Sequence, residues 1–118
     1  MIVLLLFFYI ACGSNRTVNG PGTIHNPQSN GNYERDVRCE WNIRGNGGKH
    51  LVLEFNQLDL EVSEGCQNDY VEIENIGRYC KPDQTGIAID VGSDRATIRF
   101  VTNMENEKSG FELKYNTV

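Results

Sequence analysis

Four carboxylates, Asp59, Glu61, Glu64 and Asp69, crowd around Cys66 in the stretch Leu58 to Ile73, LDLEVSEGCQNDYVEI. Calcium is a hard cation that takes about six to eight oxygens from carboxylates, carbonyls and water, and an acidic loop pinned at its centre by a cysteine suits it. Charge runs of this kind are more often solvated turns, and the residues alone leave both readings open. Other chemistry finds little to work with. No GxSxG elbow, HExxH motif or CxxC pair occurs, which removes the familiar nucleophile and zinc signatures. Gly45-Asn46-Gly47-Gly48 lacks the Lys-Ser/Thr that completes a phosphate-binding loop. His25 and His50, the only imidazoles, lie in polar sequence without a nearby orienting partner and are expected at the surface. No enzymatic activity is expected of this chain.

The acidic stretch is held between segments of alternating polarity. Cys39, Trp41 and Ile43 fall on one face and Glu40, Asn42 and Arg44 on the other, as in a half-buried strand, with Trp41 expected in the core. The same period recurs in Leu51, Leu53 and Phe55, in Tyr70 to Ile73, and in Ile87, Ile89 and Val91. It returns in Ala96, Ile98 and Phe100, and in Phe111, Leu113 and Tyr115. The glycine-rich Gly45–Gly48 is expected to be a hairpin loop. Cys12 to Gly31 is rich in Gly, Asn, Pro and Ser and is expected to be irregular apart from a short strand at Thr23-Ile24. The pattern is all-β: two antiparallel sheets packed face to face.

At 118 residues the chain is one domain. Met1 to Ala11, MIVLLLFFYIA, is apolar over about half the length of a membrane span. It reads as a secretory signal peptide cleaved after Ala11, leaving residues 12–118 without a membrane span; a buried amino-terminal strand is the rival reading. Cys12, Cys39, Cys66 and Cys80 are an even set, pointing to two disulfides in an oxidising, extracellular compartment. Of the three pairings, Cys12 with Cys39 and Cys66 with Cys80 are favoured, each closing a loop of moderate length. Asn15-Arg16-Thr17 is a glycosylation sequon. The net charge is −5 and the basic residues are scattered, which speaks against nucleic acid or anionic membranes as partners.

Taken in order, Cys12-Gly13, Gly22-Thr23-Ile24, Asn26-Pro27, Tyr33, Cys39-Glu40-Trp41-Asn42-Ile43, Leu58-Asp59-Leu60-Glu61, Asp69-Tyr70-Val71-Glu72-Ile73, Gly77-Arg78-Tyr79-Cys80, Ile98-Arg99-Phe100 and Gly110-Phe111 resemble a CUB domain. This is the extracellular module of complement-initiating proteases, tolloid-type proteases, cubilin and the spermadhesins. The resemblance covers residues 12–118 and implies a two-sheet jelly-roll sandwich with the two nearest-neighbour disulfides. It also implies a calcium site with Glu61 and Asp69 as ligands and Tyr33 orienting the glutamate. At the third ligand position the family's Asp is replaced by Asn103, which keeps a carbonyl oxygen and removes a charge, so the site is either weakened or lost; Glu105 or Asn106 would supply a substitute oxygen. By the same resemblance the acidic edge receives a Lys or Arg from another extracellular protein. The alternatives are a non-catalytic fragment of a larger secreted protease or receptor, and a spacer with no ligand at this edge.

Overall fold

The computed structural model describes residues 10–29, 32–33, 36–103 and 108–118; for residues 10, 11, 28, 29, 32 and 33 it describes the backbone alone. The strands run in the order β1 (Ile10–Cys12), β2 (Asn15–Val18), β3 (Gly22–His25), β4 (Gln28–Ser29), β5 (Asn32–Tyr33), β6 (Val37–Gly45), β7 (Leu51–Asp59), β8 (Tyr70–Ile73), β9 (Gly77–Tyr79), β10 (Ile89–Asp90), β11 (Arg95–Val101) and β12 (Gly110–Thr117). One sheet has the order β1-β6-β11-β8-β9, with β2 also on β6; the other runs β10-β7-β12-β3. Pairing is antiparallel except where β1 and β2 lie parallel along β6.

Alternation fixes which face each strand buries. Along β6, Val37, Cys39, Trp41, Ile43 and Gly45 point inward and Arg38, Glu40, Asn42 and Arg44 outward. Leu51, Leu53 and Phe55 of β7, Ile98 and Phe100 of β11, and Phe111 and Leu113 of β12 meet them from both sheets. Phe111 is the aromatic hub, with ring centroids 4.9 Å from Phe100, 5.9 Å from Trp41 and 6.4 Å from Phe55. Burial of each large apolar side chain contributes roughly 1.5–3 kcal/mol. Arg16 ties the edge strands of the two sheets, its Nη1 donating to the Thr23 carbonyl at 2.9 Å.

A β-bulge in β7 sets the geometry that follows. Leu113 opposes Phe55 while Glu112 opposes Gln57, so Asn56 is an extra residue. The bulge shifts the phase of the strand: Phe55 faces inward, and then Leu58 and Leu60, three and five residues on, are buried too. Without it, Asp59 and Glu61 would share the inward face of Phe55.

Both expected disulfides are present: Cys12–Cys39 joins β1 to β6, and Cys66–Cys80 joins the acidic loop to the chain leaving β9. Three expectations need correction. Gly45–Gly48 is no hairpin loop; through a 3-10 turn at Asn46–Gly48 it carries the chain from one sheet into the other, because β6 pairs with β11 and β7 with β12. The segment after Cys12 contains β3 at the expected Thr23-Ile24, but it also holds β2, which is ordered by pairing with β6 rather than by its own composition. Of Ile87, Ile89 and Val91, only Ile89 is buried, in β10 against Leu53, while Ile87 is 57% exposed. Met1–Tyr9 lie outside the described residues, and the expected cleavage point after Ala11 falls within β1.

Candidate functional site

The acidic residues gather at one end of the sandwich, where β7 and β11 stop and β8 and β12 begin. Asp69 precedes β8 and continues its inward phase with Val71 and Ile73; it is 0% exposed. A buried carboxylate is costly unless donors surround it. The partner strand supplies one: β8 and β11 pair as far as Tyr70 with Val101, and just beyond that register the Asn103 N–H donates to Asp69 Oδ1 at 2.8 Å.

Glu61 arrives from the other sheet, projected outward by the phase shift in β7. Its two oxygens each accept a side-chain amide: Oε1 from Asn68 Nδ2 at 3.1 Å and Oε2 from Asn103 Nδ2 at 3.2 Å. Glu61, Asp69 and Asn103 are thus brought together although 42 and 34 residues separate the bonded pairs. The Asn103 backbone is held on its other side as well, its carbonyl accepting the Asp36 N–H at 3.1 Å. Next to it, Thr102 exchanges two bonds with Val37, accepting at Oγ1 (2.9 Å) and donating from its N–H (3.0 Å).

The loop between Glu61 and Asp69 is wound tightly. Ser63 accepts the Cys66 N–H at its carbonyl and the Asn68 N–H at its hydroxyl, both at 3.1 Å. Gly65 at φ +65° and Cys66 at φ +49° make the turn. Glu64 is exposed on this turn, and Asp59 pairs with Ser109 instead of the cluster, accepting its N–H at 3.1 Å and its hydroxyl. Glu105, Asn106 and the Tyr33 side chain lie outside the described residues.

Sequence reasoning gave no role to Asn26, which is buried beneath this end. Its Oδ1 accepts the Phe111 N–H at 2.7 Å, fixing the start of β12. Gly110, at φ +104°, has no room for a Cβ beside the Asn26 side chain. Tyr79 packs on Phe55 with centroids 5.2 Å apart, and burial pushes its phenol above the usual range. Arg78 lies 4.0 Å over the Tyr70 ring. On the outer face of the first sheet, Arg99 binds Glu40, Glu72 and Glu74 at 2.9, 3.2 and 3.4 Å. Desolvation lowers its pKa, but the glutamate hydrogen bonds outweigh that and hold it above the ordinary arginine value.

The family model of the CUB domain matches residues 12–115. The chain belongs to the CUB domain family. Cubilin of Rattus norvegicus is 39% identical over 92 residues, covering 72% of this chain and 2% of cubilin. The dorsal-ventral patterning protein tolloid of Drosophila melanogaster is 30% identical over 112 residues, covering 88% of this chain and 10% of tolloid. The chain therefore spans a small part of these relatives. The crystal structure of the MASP-1 CUB2 domain bound to Ca2+ aligns with a TM-score of 0.74 at 25% identity, over 86% of this chain and 96% of that one. A CUB domain is typically a non-catalytic module, found also within proteases, and among the described residues no helix is long and apolar enough to cross a membrane.

Ligands of calcium are oxygens; at the acidic end of this CUB domain the Asn103 side chain turns its NH2 group toward Glu61, and its backbone N–H binds one oxygen of Asp69. Among the described residues, no three His, Cys, Asp or Glu side chains are placed so that they could hold a metal ion together.

Proposed function

We propose that this CUB domain is a secreted module that binds another extracellular protein at its acidic end, with Glu61 receiving a Lys or Arg side chain. The observation that carries this reading is the half-buried Glu61 carboxylate, oriented by amide donors on both oxygens. Two side-chain amides hold the carboxylate in place, so little side-chain entropy is left to lose when a cation arrives. A charge-assisted bond that a partner then shields from water is worth about 2 kcal/mol or more on truncation. Secretion, through the Met1–Ala11 leader, and a glycan on exposed Asn15 belong to the same proposal. The chain net charge of −5 favours a basic partner.

The test is a capture experiment from the extracellular fluid of the source, comparing wild type with Glu61→Gln, which keeps the shape and removes the charge. A protein retained by wild type, lost with Glu61→Gln, and lost again after acetylation or arginine-directed modification of the fluid supports the reading. Equal retention by both forms contradicts it.

A further inference from the structure

The two carboxylates that a divalent cation would join are already joined by one residue. Asn103 donates its backbone N–H to Asp69 Oδ1 at 2.8 Å and its side-chain Nδ2 to Glu61 Oε2 at 3.2 Å. The amide orientation follows from the chemistry of its neighbour: against a carboxylate oxygen an NH2 group attracts, whereas the amide oxygen would repel. We propose that Asn103 takes the place of a divalent cation, so that the acidic end of this chain is ordered without calcium.

Two effects of the one residue act together. An amide in place of a third carboxylate removes a negative charge and with it part of the mutual repulsion that a cation would otherwise have to neutralise. It also brings the donor that bridges the remaining two. The loops entering this end from different strands are stitched by further hydrogen bonds: Ser109 to Asp59 from the start of β12, Asn68 to Glu61 within the acidic loop, and Asp36 to the Asn103 carbonyl from the start of β6. To enter, a calcium ion would have to displace Nδ2 from Glu61 and turn the amide over, gaining only a neutral ligand. This inference concerns how the end is held and stands apart from the choice of partner; its test uses no partner, so either reading can fail alone.

Thermal unfolding of the full chain with disulfides intact, in millimolar calcium and in chelator, decides it. Wild type is expected to show the same midpoint in both media. Asn103→Ala should melt several degrees lower, equally in both. Asn103→Asp, which restores a third carboxylate and deletes the side-chain donor, should melt below wild type in chelator and recover when calcium is added. A wild-type midpoint raised by calcium overturns the proposal. So does an Asn103→Ala variant that melts with the wild type in both media.

Discussion

Replacing Cys66 and Cys80 together with alanine tests how firmly the acidic loop is pinned. The bond closes a separation of 14 residues, for which loop closure in the unfolded chain contributes about 3 kcal/mol at 25 °C. Both sulfurs are buried, and losing their packing adds up to about 1 kcal/mol. Against a total of about 5–15 kcal/mol for a domain of this size, a loss of about 3–4 kcal/mol lowers the thermal midpoint by more than about 10 °C. Urea unfolding at 25 °C measures it, and the m-value should rise as the unfolded chain expands. Amide exchange adds a local signature: Glu64 to Asn68 should lose protection below that of β6 and β11, because the turn around Cys66 depends on that bond. A loss below about 1 kcal/mol, or uniform protection across turn and strands, would refute the argument.

The core and the surface give further expectations. Phe111→Ala removes the ring that touches Phe100, Trp41 and Phe55 and should cost about 3–5 kcal/mol in urea unfolding; a cost below about 1 kcal/mol would mean that the two sheets do not share this hub. Asn26→Ala leaves the buried Phe111 N–H without its acceptor and should cost about 1–3 kcal/mol in the same assay, whereas a neutral result would remove Asn26 from the support of β12. Arg99→Ala deletes three ion pairs from a side chain that is 35% exposed, so only about 1 kcal/mol is expected. That loss should shrink in molar salt. A salt-independent loss would point to packing of the aliphatic stem instead.

The strands with strict alternation, Cys39 to Arg44, Leu51 to Phe55 and Ala96 to Phe100, were legible because a period of two names both the element and its buried face. Strand β2 was not, since Asn15–Val18 becomes a strand only by lying along β6, whereas Thr23-Ile24 already marked the centre of β3. Glycines announced a turn at Gly45–Gly48 but could not say which sheet the chain enters next. Ile87 and Ile89 look alike in sequence; only pairing with Leu53 distinguishes the buried one. Within the candidate site, Glu61 and Asp69 were legible as two of four carboxylates around Cys66, and the resemblance singled them out from Asp59 and Glu64; the apolar spacing from Phe55 to Leu58 already carried the phase shift that turns Glu61 outward. The two hydrogen bonds made by Asn103 could not be read, because they depend on residues far apart in the chain meeting beyond the end of β11.

A Glu61 carboxylate preset to receive a cationic side chain should report the ligand through its own amide donors. Titration of the nitrogen-15-labelled chain with a lysine-bearing peptide, followed by NMR, tests it most directly, because the side-chain amides of Asn68 and Asn103 touch the two Glu61 oxygens. These two resonances should shift first in wild type, higher salt should weaken the effect, and Glu61→Gln should abolish it. Shifts that persist in Glu61→Gln, or that appear elsewhere while these two amides stay still, would contradict it.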